Sequence, residues 1–262
     1  MENSFKDLIE FIEAQTAFKC HRYKEKPLKR RIRVRMRALN LLDFSEYQSH
    51  LRNNPDEVKK LLDALTINLS YFFRNPEAFD YLRNFILPDL KKKRKQLTFW
   101  SAGCAHGEEP YSLAIISSES AILQRVQIYG TDIDMTALET ARKGIYPSFA
   151  FQYTPKNIVS KYFRRIDDGL MISEKIKDRV AFSNHDLFEK ASFAPCDLIM
   201  CRNVMIYLDR AAQSVILQNF HDQLKSGGYL VIGKVELLIG IPEVKLFETV
   251  SRVEHVYRKK EV

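Results

Sequence analysis

The sequence has little of what marks secreted, membrane-spanning or zinc-binding proteins. It contains four cysteines in 262 residues, and Cys20, Cys104, Cys196 and Cys201 form no Cys-x-x-Cys pair. No apolar run reaches the roughly 20 residues that a transmembrane helix needs. The first residues also lack the basic and apolar regions of a signal peptide. We therefore expect a cytoplasmic protein with reduced thiols, no metal site and no insertion into a membrane.

Acidic residues are the minority among the charged ones. The chain has 33 acidic and 41 basic side chains, and its formal net charge is +8. Such an excess suggests an acidic partner, which could be a nucleic acid, a membrane surface or an acidic protein. Charge alone does not choose among these partners. The length is sufficient for one large domain or two small ones.

The front of the chain predicts helices only, over residues 1–75. Pro27 is expected to open a second helix, whose apolar stripe consists of Leu28, Ile32, Met36 and Leu39. Arg30, Arg33 and Arg37 would line the opposite face of that helix. A row of arginines without interleaved acids repels itself, so we interpret it as a docking surface for an acidic substrate. An ordinary solvated face is the alternative.

The pattern changes after a predicted linker helix at residues 76–95. From Leu97 onward strands and helices alternate, which is typical of a parallel sheet, so residues 96–262 predict an α/β domain. The alternation is interrupted at about residues 145–180, where Asp167-Asp168-Gly169 predicts a hairpin turn within a small inserted β-subdomain. The last two predicted strands, around Phe247 and Tyr257, have no helix between them and should pair in antiparallel fashion.

Small residues follow the first predicted strand and precede a helix. Gly103, Ala105 and Gly107 would allow a nucleotide-like ligand to approach the backbone closely. Glu108 and Glu109, at the mouth of this loop, would repel a pyrophosphate, so a ligand such as S-adenosylmethionine fits better. The spacing also misses the G-x-G-x-x-G pattern of dinucleotide sites. A tight strand-to-helix turn without a ligand is the alternative.

Polar side chains elsewhere could reach the same ligand. Asn68, Ser70 and Arg74 lie in a predicted loop that could place all three on one ligand, although a capped turn would need similar residues. Asp132 ends the second predicted strand, where a carboxylate can accept both hydroxyl hydrogens of a ribose. Asp134 is better suited to cap the next helix.

Later strands add residues at the same edge of the predicted sheet. Because ligands bind at the carboxyl ends of parallel strands, Asp186, Leu187, Asn203 and Val204 should lie beside the first loop.

Four motifs in this order resemble one known family. They are Asn68-x-Ser70-x-Phe72-Phe73-Arg74, the stretches 100–104 and 107–112, Thr131-Asp132-Ile133-Asp134, and the stretch 201–207. Together they resemble the CheR-type chemotaxis receptor methyltransferases over nearly the whole chain. The resemblance implies a Rossmann-like methyltransferase sheet of seven strands with an antiparallel last strand. It also implies an enzyme that methylates glutamate side chains on the cytoplasmic domain of bacterial chemoreceptors and converts S-adenosylmethionine to S-adenosylhomocysteine.

The resemblance further implies a set of cofactor contacts at Asn68, Ser70, Arg74, Glu108, Asp132, Asp186, Leu187, Asn203 and Val204. Ser70 stands where threonine is common, and Asp186 stands where asparagine is common. Asp186 can accept a hydrogen bond from an adenine amine but cannot donate one. Tyr207 could line the acceptor site. No strong base is needed, because a glutamate carboxylate is already ionised at neutral pH.

Two other functions remain open at this point. A nucleic-acid methyltransferase would explain the positive charge, but base amino-methylating enzymes place an Asn/Asp-Pro-Pro-aromatic run after the fourth strand, where this chain has Arg202-Asn203-Val204. A non-catalytic module that binds S-adenosylmethionine for regulation is the second possibility, although the acids at positions 108 and 132 are intact. We expect a monomer that binds chemoreceptors and no nucleic acid.

Overall fold

The computed structural model describes residues 2–16, 18–66 and 68–260. By contacts the chain forms two compact units, Met1–Asn68 with Tyr207–Gln213 and Leu69–Ile206 with Ser214–Val262. The predicted end of the helical domain at residue 75 stays a prediction. By contacts, residues 69–75 group with the second unit.

The first unit is helical, as its sequence predicts. Its helices are α1 (Glu2–Gln15), α2 (Glu25–Ala38), α3 (Phe44–Asn53) and α4 (Pro55–Leu65). Asp43 caps α3 by accepting hydrogen bonds from the N–H groups of Ser45 and Glu46, and Pro55 occupies the first turn of α4. Helix α2 begins at Glu25, two residues before the predicted Pro27, because proline fits anywhere in the first turn. The buried core includes Leu8, Ile12, Ile32, Tyr47 and Leu61.

A buried carboxylate joins three helices of this unit. Glu57 of α4 is 4% exposed and accepts hydrogen bonds from the Arg35 guanidinium of α2, at 2.9 and 2.7 Å. The Tyr47 hydroxyl of α3 donates a third bond to Glu57 at 3.0 Å. The pKa of Glu57 lies below its usual value: burial raises it, but the hydrogen bonds from Arg35 and Tyr47 outweigh burial.

The second unit begins with short helices and then alternates strands with helices. Helix α5 (Pro76–Tyr81) continues through a π-helical turn at Leu82–Ile86 into α6 (Leu87–Lys93). The first half of the alternation contains β1 (Leu97–Ala102), α7 (Glu108–Glu119), β2 (Val126–Asp132) and α8 (Met135–Lys143).

The predicted insertion follows α8. It contains β3 (Ile145–Tyr146), α9 (Lys156–Tyr162), β4 (Phe163–Ile166), β5 (Gly169–Ile172) and α10 (Glu174–Lys177). The strands form a small antiparallel sheet in the order β3-β5-β4, and the predicted hairpin turn lies between Ile166 and Gly169. Gly169 has φ +138°, and a Cβ there would lie 2.5 Å from the Tyr146 carbonyl oxygen, so only glycine fits.

The chain then returns to the main sheet. The remaining elements are β6 (Val180–Asn184), β7 (Cys196–Cys201), α11 (Arg210–Gln223), β8 (Leu224–Ile232), β9 (Phe247–Ser251) and β10 (Val256–Lys259). The seven strands lie in the order β6-β2-β1-β7-β8-β10-β9. The first five are parallel, and β10 is antiparallel to both of its neighbours, which confirms the predicted antiparallel end.

This strand order fixes where a ligand can bind. The chain runs from β1 to β2 and β6 on one side, and then crosses to β7 on the other side of β1. The reversal opens a crevice at the carboxyl ends of β1 and β7, which is the usual ligand site of such sheets. Within the ranges described above, no helix is long and apolar enough to cross a bilayer.

Candidate functional site

The loop after β1 forms the floor of this crevice. The backbone N–H groups of Gly103 and Cys104 donate hydrogen bonds to the Thr131 carbonyl oxygen of β2, at 2.8 and 2.9 Å. Gly107, with φ +91°, ends the loop, and a Cβ there would lie 2.8 Å from the Ala141 Cβ of α8. The loop is therefore held close to the end of β2 before α7 begins.

Glu108, the first residue of α7, has a carboxylate that is only partly satisfied. It is 3% exposed, and the Ser70 hydroxyl donates a hydrogen bond to it. Its Oε2 atom is buried and has no hydrogen-bond partner among the described residues. Burial raises the pKa of Glu108 to about 7. A buried acceptor of this kind is suited to a ligand that brings an N–H or O–H donor, or a positive charge.

Glu109, the next residue, points away from the crevice, whereas the sequence suggested that it lies at the mouth of the ligand loop. Its carboxylate accepts a hydrogen bond from the Ser101 hydroxyl at 2.8 Å and pairs with the Arg202 guanidinium at 3.3 Å. Burial raises the pKa of Glu109, while the charge of Arg202 opposes that rise. Arg202 also donates 2.7 Å bonds to the Arg74 carbonyl oxygen and to Asn75 Oδ1. The pair thus joins α7 and the end of β7 to the segment that carries Arg74.

Asp132 lies at the end of β2, where the sequence places it. Its Oδ2 accepts a hydrogen bond from the Ala105 N–H at 2.8 Å, and its Oδ1 accepts one from the Asp134 N–H at 3.0 Å. Each oxygen keeps a further lone pair for a ligand hydroxyl. Burial raises the pKa of Asp132, although these backbone bonds oppose the rise. Asp134 accepts from the N–H groups of Thr136 and Ala137, which confirms its predicted role as the cap of α8.

The end of β6 lies against the end of β2. The His185 N–H donates a 3.1 Å hydrogen bond to the Asp132 carbonyl oxygen, which brings the next residues to the crevice. Asp186 Oδ1 accepts from the Phe188 N–H at 3.0 Å, and the Leu187 carbonyl oxygen accepts from Asn219 at 3.0 Å. The backbone around Asp186 and Leu187 is therefore fixed by local bonds.

The turn after β7 completes the crevice. Asn203 has φ +63°, and Val204 packs so closely on the first loop that a Cβ on Gly103 would lie 2.5 Å from the Val204 Cγ2. Within the second unit, the structure thus brings Glu108, Asp132, Asn203 and Val204 to one edge of the sheet.

Among the predicted cofactor and acceptor residues, two belong to the first unit by contacts. Asn68 ends its first segment, and Tyr207 begins its second. The Tyr207 carbonyl oxygen accepts a hydrogen bond from the Lys24 N–H at 2.8 Å, and the Arg31 guanidinium lies 5.2 Å from the Tyr207 ring centre. The role of Tyr207 at an acceptor site stays a prediction, as does the contact of Asn68 with a cofactor.

The arginines of α2 divide into two groups. Arg31 and Arg35 are half-buried and bond to the body of the unit, Arg31 through the Ala64 carbonyl oxygen at 2.8 Å. The α2 arginine row, which we define as Arg30, Arg33 and Arg37, is exposed. Its exposure is compatible with docking, which stays a prediction.

Two functional candidates were missed in the sequence. Arg202 supports Arg74, and Glu236, beyond β8, accepts hydrogen bonds from the backbone of Asn203 and Val204 at 3.0 and 2.9 Å. Glu236 is separated from that turn by more than 30 residues, so no local spacing pattern marks it. Only its position just after a buried strand could have suggested a role at the ligand edge.

The residues of the crevice fit S-adenosylmethionine by their chemistry. The Oε2 of Glu108, which has no partner among the described residues, can accept from an ammonium or hydroxyl group, and Asp132 can accept from a ribose. Among residues 2–16, 18–66 and 68–260, no group of three His, Cys, Asp or Glu side chains could hold a metal ion.

Comparison with known proteins identifies similar chains. The family described as the CheR methyltransferase SAM-binding domain matches residues 68–253, and the CheR methyltransferase all-alpha domain matches residues 3–66. A chemotaxis protein methyltransferase of Borreliella burgdorferi is 35% identical over 232 residues, covering 81% of this chain and 82% of that protein. A chemotaxis protein methyltransferase of Salmonella typhimurium is 33% identical over 242 residues, covering 88% of this chain and 83% of that protein.

Proposed function

The chain belongs to the CheR methyltransferase family, and from that premise we propose that it methylates glutamate side chains of bacterial chemoreceptors and so tunes chemotactic adaptation. It is a methyltransferase that uses S-adenosylmethionine, since the SAM-binding domain of the family matches residues 68–253. The relatives from Borreliella burgdorferi and Salmonella typhimurium are chemotaxis protein methyltransferases, which supports a receptor as the acceptor. The by-product of each transfer is S-adenosylhomocysteine.

The observation that carries the proposal is the buried, unpaired Oε2 of Glu108 at the reversal point of the sheet. In the proposed site, this oxygen accepts from the amino acid end of the cofactor, and Asp132 accepts from the ribose hydroxyls. Asp186 accepts from the adenine amine, and the Arg74 guanidinium is suited to the cofactor carboxylate. The remaining proposed contacts are Asn68, Ser70, Leu187, Asn203 and Val204.

The protein contributes to the proposed reaction mainly by positioning the cofactor and the acceptor carboxylate. When bound, the cofactor supplies a methyl group on a sulfonium, which is an activated leaving group. The attacking glutamate carboxylate is ionised at neutral pH, so no side chain has to remove a proton. The residues of the crevice therefore act by fixing the cofactor so that the acceptor carboxylate can attack in line.

Binding of an acidic receptor segment requires a positively charged surface on the protein. The α2 arginine row is exposed and carries three positive charges on one helix face, which is complementary to an acidic receptor segment. Tyr207 is proposed to line the acceptor site. The receptor's cytoplasmic domain is the proposed partner, so we also infer that the protein acts in the cytoplasm and works as a monomer.

The chemistry of the product tests the reaction class. Purified protein is incubated with S-adenosylmethionine labelled in its methyl group and with membranes from its own source, and the labelled material is then treated with mild alkali. A glutamyl methyl ester releases volatile labelled methanol, whereas N-methyl groups on lysine, arginine or a nucleobase do not. Label that stays on protein, or that enters added RNA, would contradict the proposal. A matched reaction with Asp132→Ala should release far less methanol.

A further inference from the structure

We infer that Glu236 is a positioning residue for the cofactor site, because its carboxylate shapes the turn that carries Asn203 and Val204. Glu236 follows β8 and is 2% exposed. The inference rests on the proposed function, in which Asn203 and Val204 contact the cofactor.

The carboxylate of Glu236 is fully occupied by backbone donors. Its Oε1 accepts from the N–H groups of Val204 and Met205, at 2.9 and 2.8 Å. Its Oε2 accepts from the N–H of Asn203 at 3.0 Å and from the N–H of Gly233. A carboxylate has about four lone-pair positions, and all of them are used here. Glu236 therefore has no acceptor capacity left for a ligand and acts through the residues it holds.

The turn at residues 203–205, called the 203–205 turn below, depends on such an acceptor. Asn203 adopts φ +63°, a left-handed conformation that is uncommon for residues other than glycine. Three successive N–H groups of the turn converge on the Glu236 carboxylate, which is the geometry of a backbone anion nest. Without a negative group at its centre, the nest would leave converging donors unpaired in a buried place.

The same carboxylate joins the ends of two neighbouring strands, β7 and β8. Gly233, just past β8, allows the close approach, because a Cβ there would lie 2.6 Å from the Glu236 Oε2 and 3.0 Å from the Asn203 nitrogen. Val204 in turn packs on Gly103 of the loop after β1. A displacement of the 203–205 turn is therefore transmitted to the floor of the cofactor crevice.

The test replaces Glu236 by glutamine, which keeps the size but removes the charge and one acceptor oxygen. We expect Glu236→Gln to raise the Kd for S-adenosylhomocysteine, measured by calorimetry, by about tenfold to a hundredfold. We also expect faster hydrogen exchange at the amides of the 203–205 turn. The KM for S-adenosylmethionine should rise more than kcat falls, because the variant retains the groups that contact the acceptor.

Glu254→Gln is the matched control. Glu254 is also buried in the second unit, at 8% exposed, but its Oε1 pairs with Lys234, which is not one of the proposed cofactor contacts. Its variant should keep the affinity for S-adenosylhomocysteine within about twofold, even if its melting temperature falls as far as that of Glu236→Gln. An equal loss of affinity in both variants would reduce Glu236 to a general stabilising residue and overturn the inference.

Asn203→Ala separates this inference from the proposed function. If Asn203→Ala binds S-adenosylhomocysteine as well as the wild type does, the proposed cofactor contact is wrong. If Asn203→Ala weakens binding but Glu236→Gln binds normally, with unchanged exchange in the 203–205 turn, only the role of Glu236 is refuted. Should Glu236→Gln fail to fold, Gly233→Ala displaces the carboxylate sterically. That variant must then show the same loss of affinity, and normal binding by it would refute the role.

Discussion

The raised pKa of Glu108 makes cofactor affinity depend on pH near neutrality. Burial raises this pKa to about 7, so the carboxyl is half protonated in the free protein at that pH. A bound ammonium group favours the ionised form, and binding therefore releases a proton whenever the free carboxyl holds one. Between pH 7 and the lower pKa of the complex, affinity should fall by up to about tenfold for each unit of decreasing pH.

The magnitude can be worked out for one condition. At pH 6.5, a group with a pKa of about 7 is roughly three-quarters protonated, so binding should release up to about three-quarters of a proton. Calorimetric titration with S-adenosylhomocysteine in two buffers of different ionisation enthalpy measures this number directly. Glu108→Gln should release no proton and bind with an affinity that hardly changes from pH 6 to pH 8. The control Glu254→Gln should keep the proton release of the wild type.

The same pKa predicts an opposite trend for the stability of the free protein. A carboxyl whose pKa is raised in the folded state stabilises the fold at acid pH. That contribution is lost as the pH rises from about 4.5, the pKa of this carboxyl in the unfolded state, through about 7, its pKa in the folded state. The loss is on the order of 3 kcal/mol in the free energy of unfolding, and Glu108→Gln should remove it. A wild-type affinity that stays flat from pH 6 to pH 8, together with no proton release, would refute the reasoning.

Three further predictions concern Asp132, the α2 arginine row and Glu57. Asp132→Ala should weaken S-adenosylmethionine binding by about 2 kcal/mol, since a charge-assisted hydrogen bond is lost, and an unchanged calorimetric Kd would remove Asp132 from the site. Reversing the charges of the α2 arginine row to glutamate should raise the KM for receptor and leave the melting temperature and cofactor affinity nearly unchanged. Equal losses of stability and activity would instead indicate a structural role. Glu57→Ala should lower the free energy of unfolding by about 3 kcal/mol in urea titrations, because it leaves Arg35 without its buried partner. Asp80→Ala, which breaks an exposed pair, should cost less than about 1 kcal/mol, and equal costs would contradict the importance of burial.

Features that depend on neighbouring residues were predictable from the sequence. The cap at Asp134 and the hairpin before Gly169 each arise from a few consecutive residues whose side chains and backbone preferences act locally. The antiparallel β9–β10 pair follows from the short connection between its strands. The alternation of strands and helices likewise fixes the parallel part of the sheet, and with it the edge at which ligands bind.

Features that depend on distant residues were not predictable. Glu108 and Glu109 are adjacent, and the sequence suggested that both acids face the ligand. Consecutive residues of a helix point about 100° apart, so Glu108 remains at the crevice while Glu109 turns inward to Ser101 and Arg202. The pairing of Glu109 with Arg202 joins residues 93 positions apart, and no spacing pattern indicates such a pair.

The distinction between binding and shaping carboxylates then follows from counting their hydrogen-bond donors. Glu236 accepts from four backbone N–H groups and has no lone pair left, whereas the charge of Glu109 is already paired with Arg202, so neither carboxylate is available to a cationic ligand. Asp132 accepts one backbone bond on each oxygen and retains further capacity, and Glu108 has an oxygen without a partner in the part of the chain that the structure describes. A buried anion with an unused acceptor is costly unless a ligand supplies the missing donor. The crevice acids with unused acceptors are therefore the ones that should gain most from binding the cofactor.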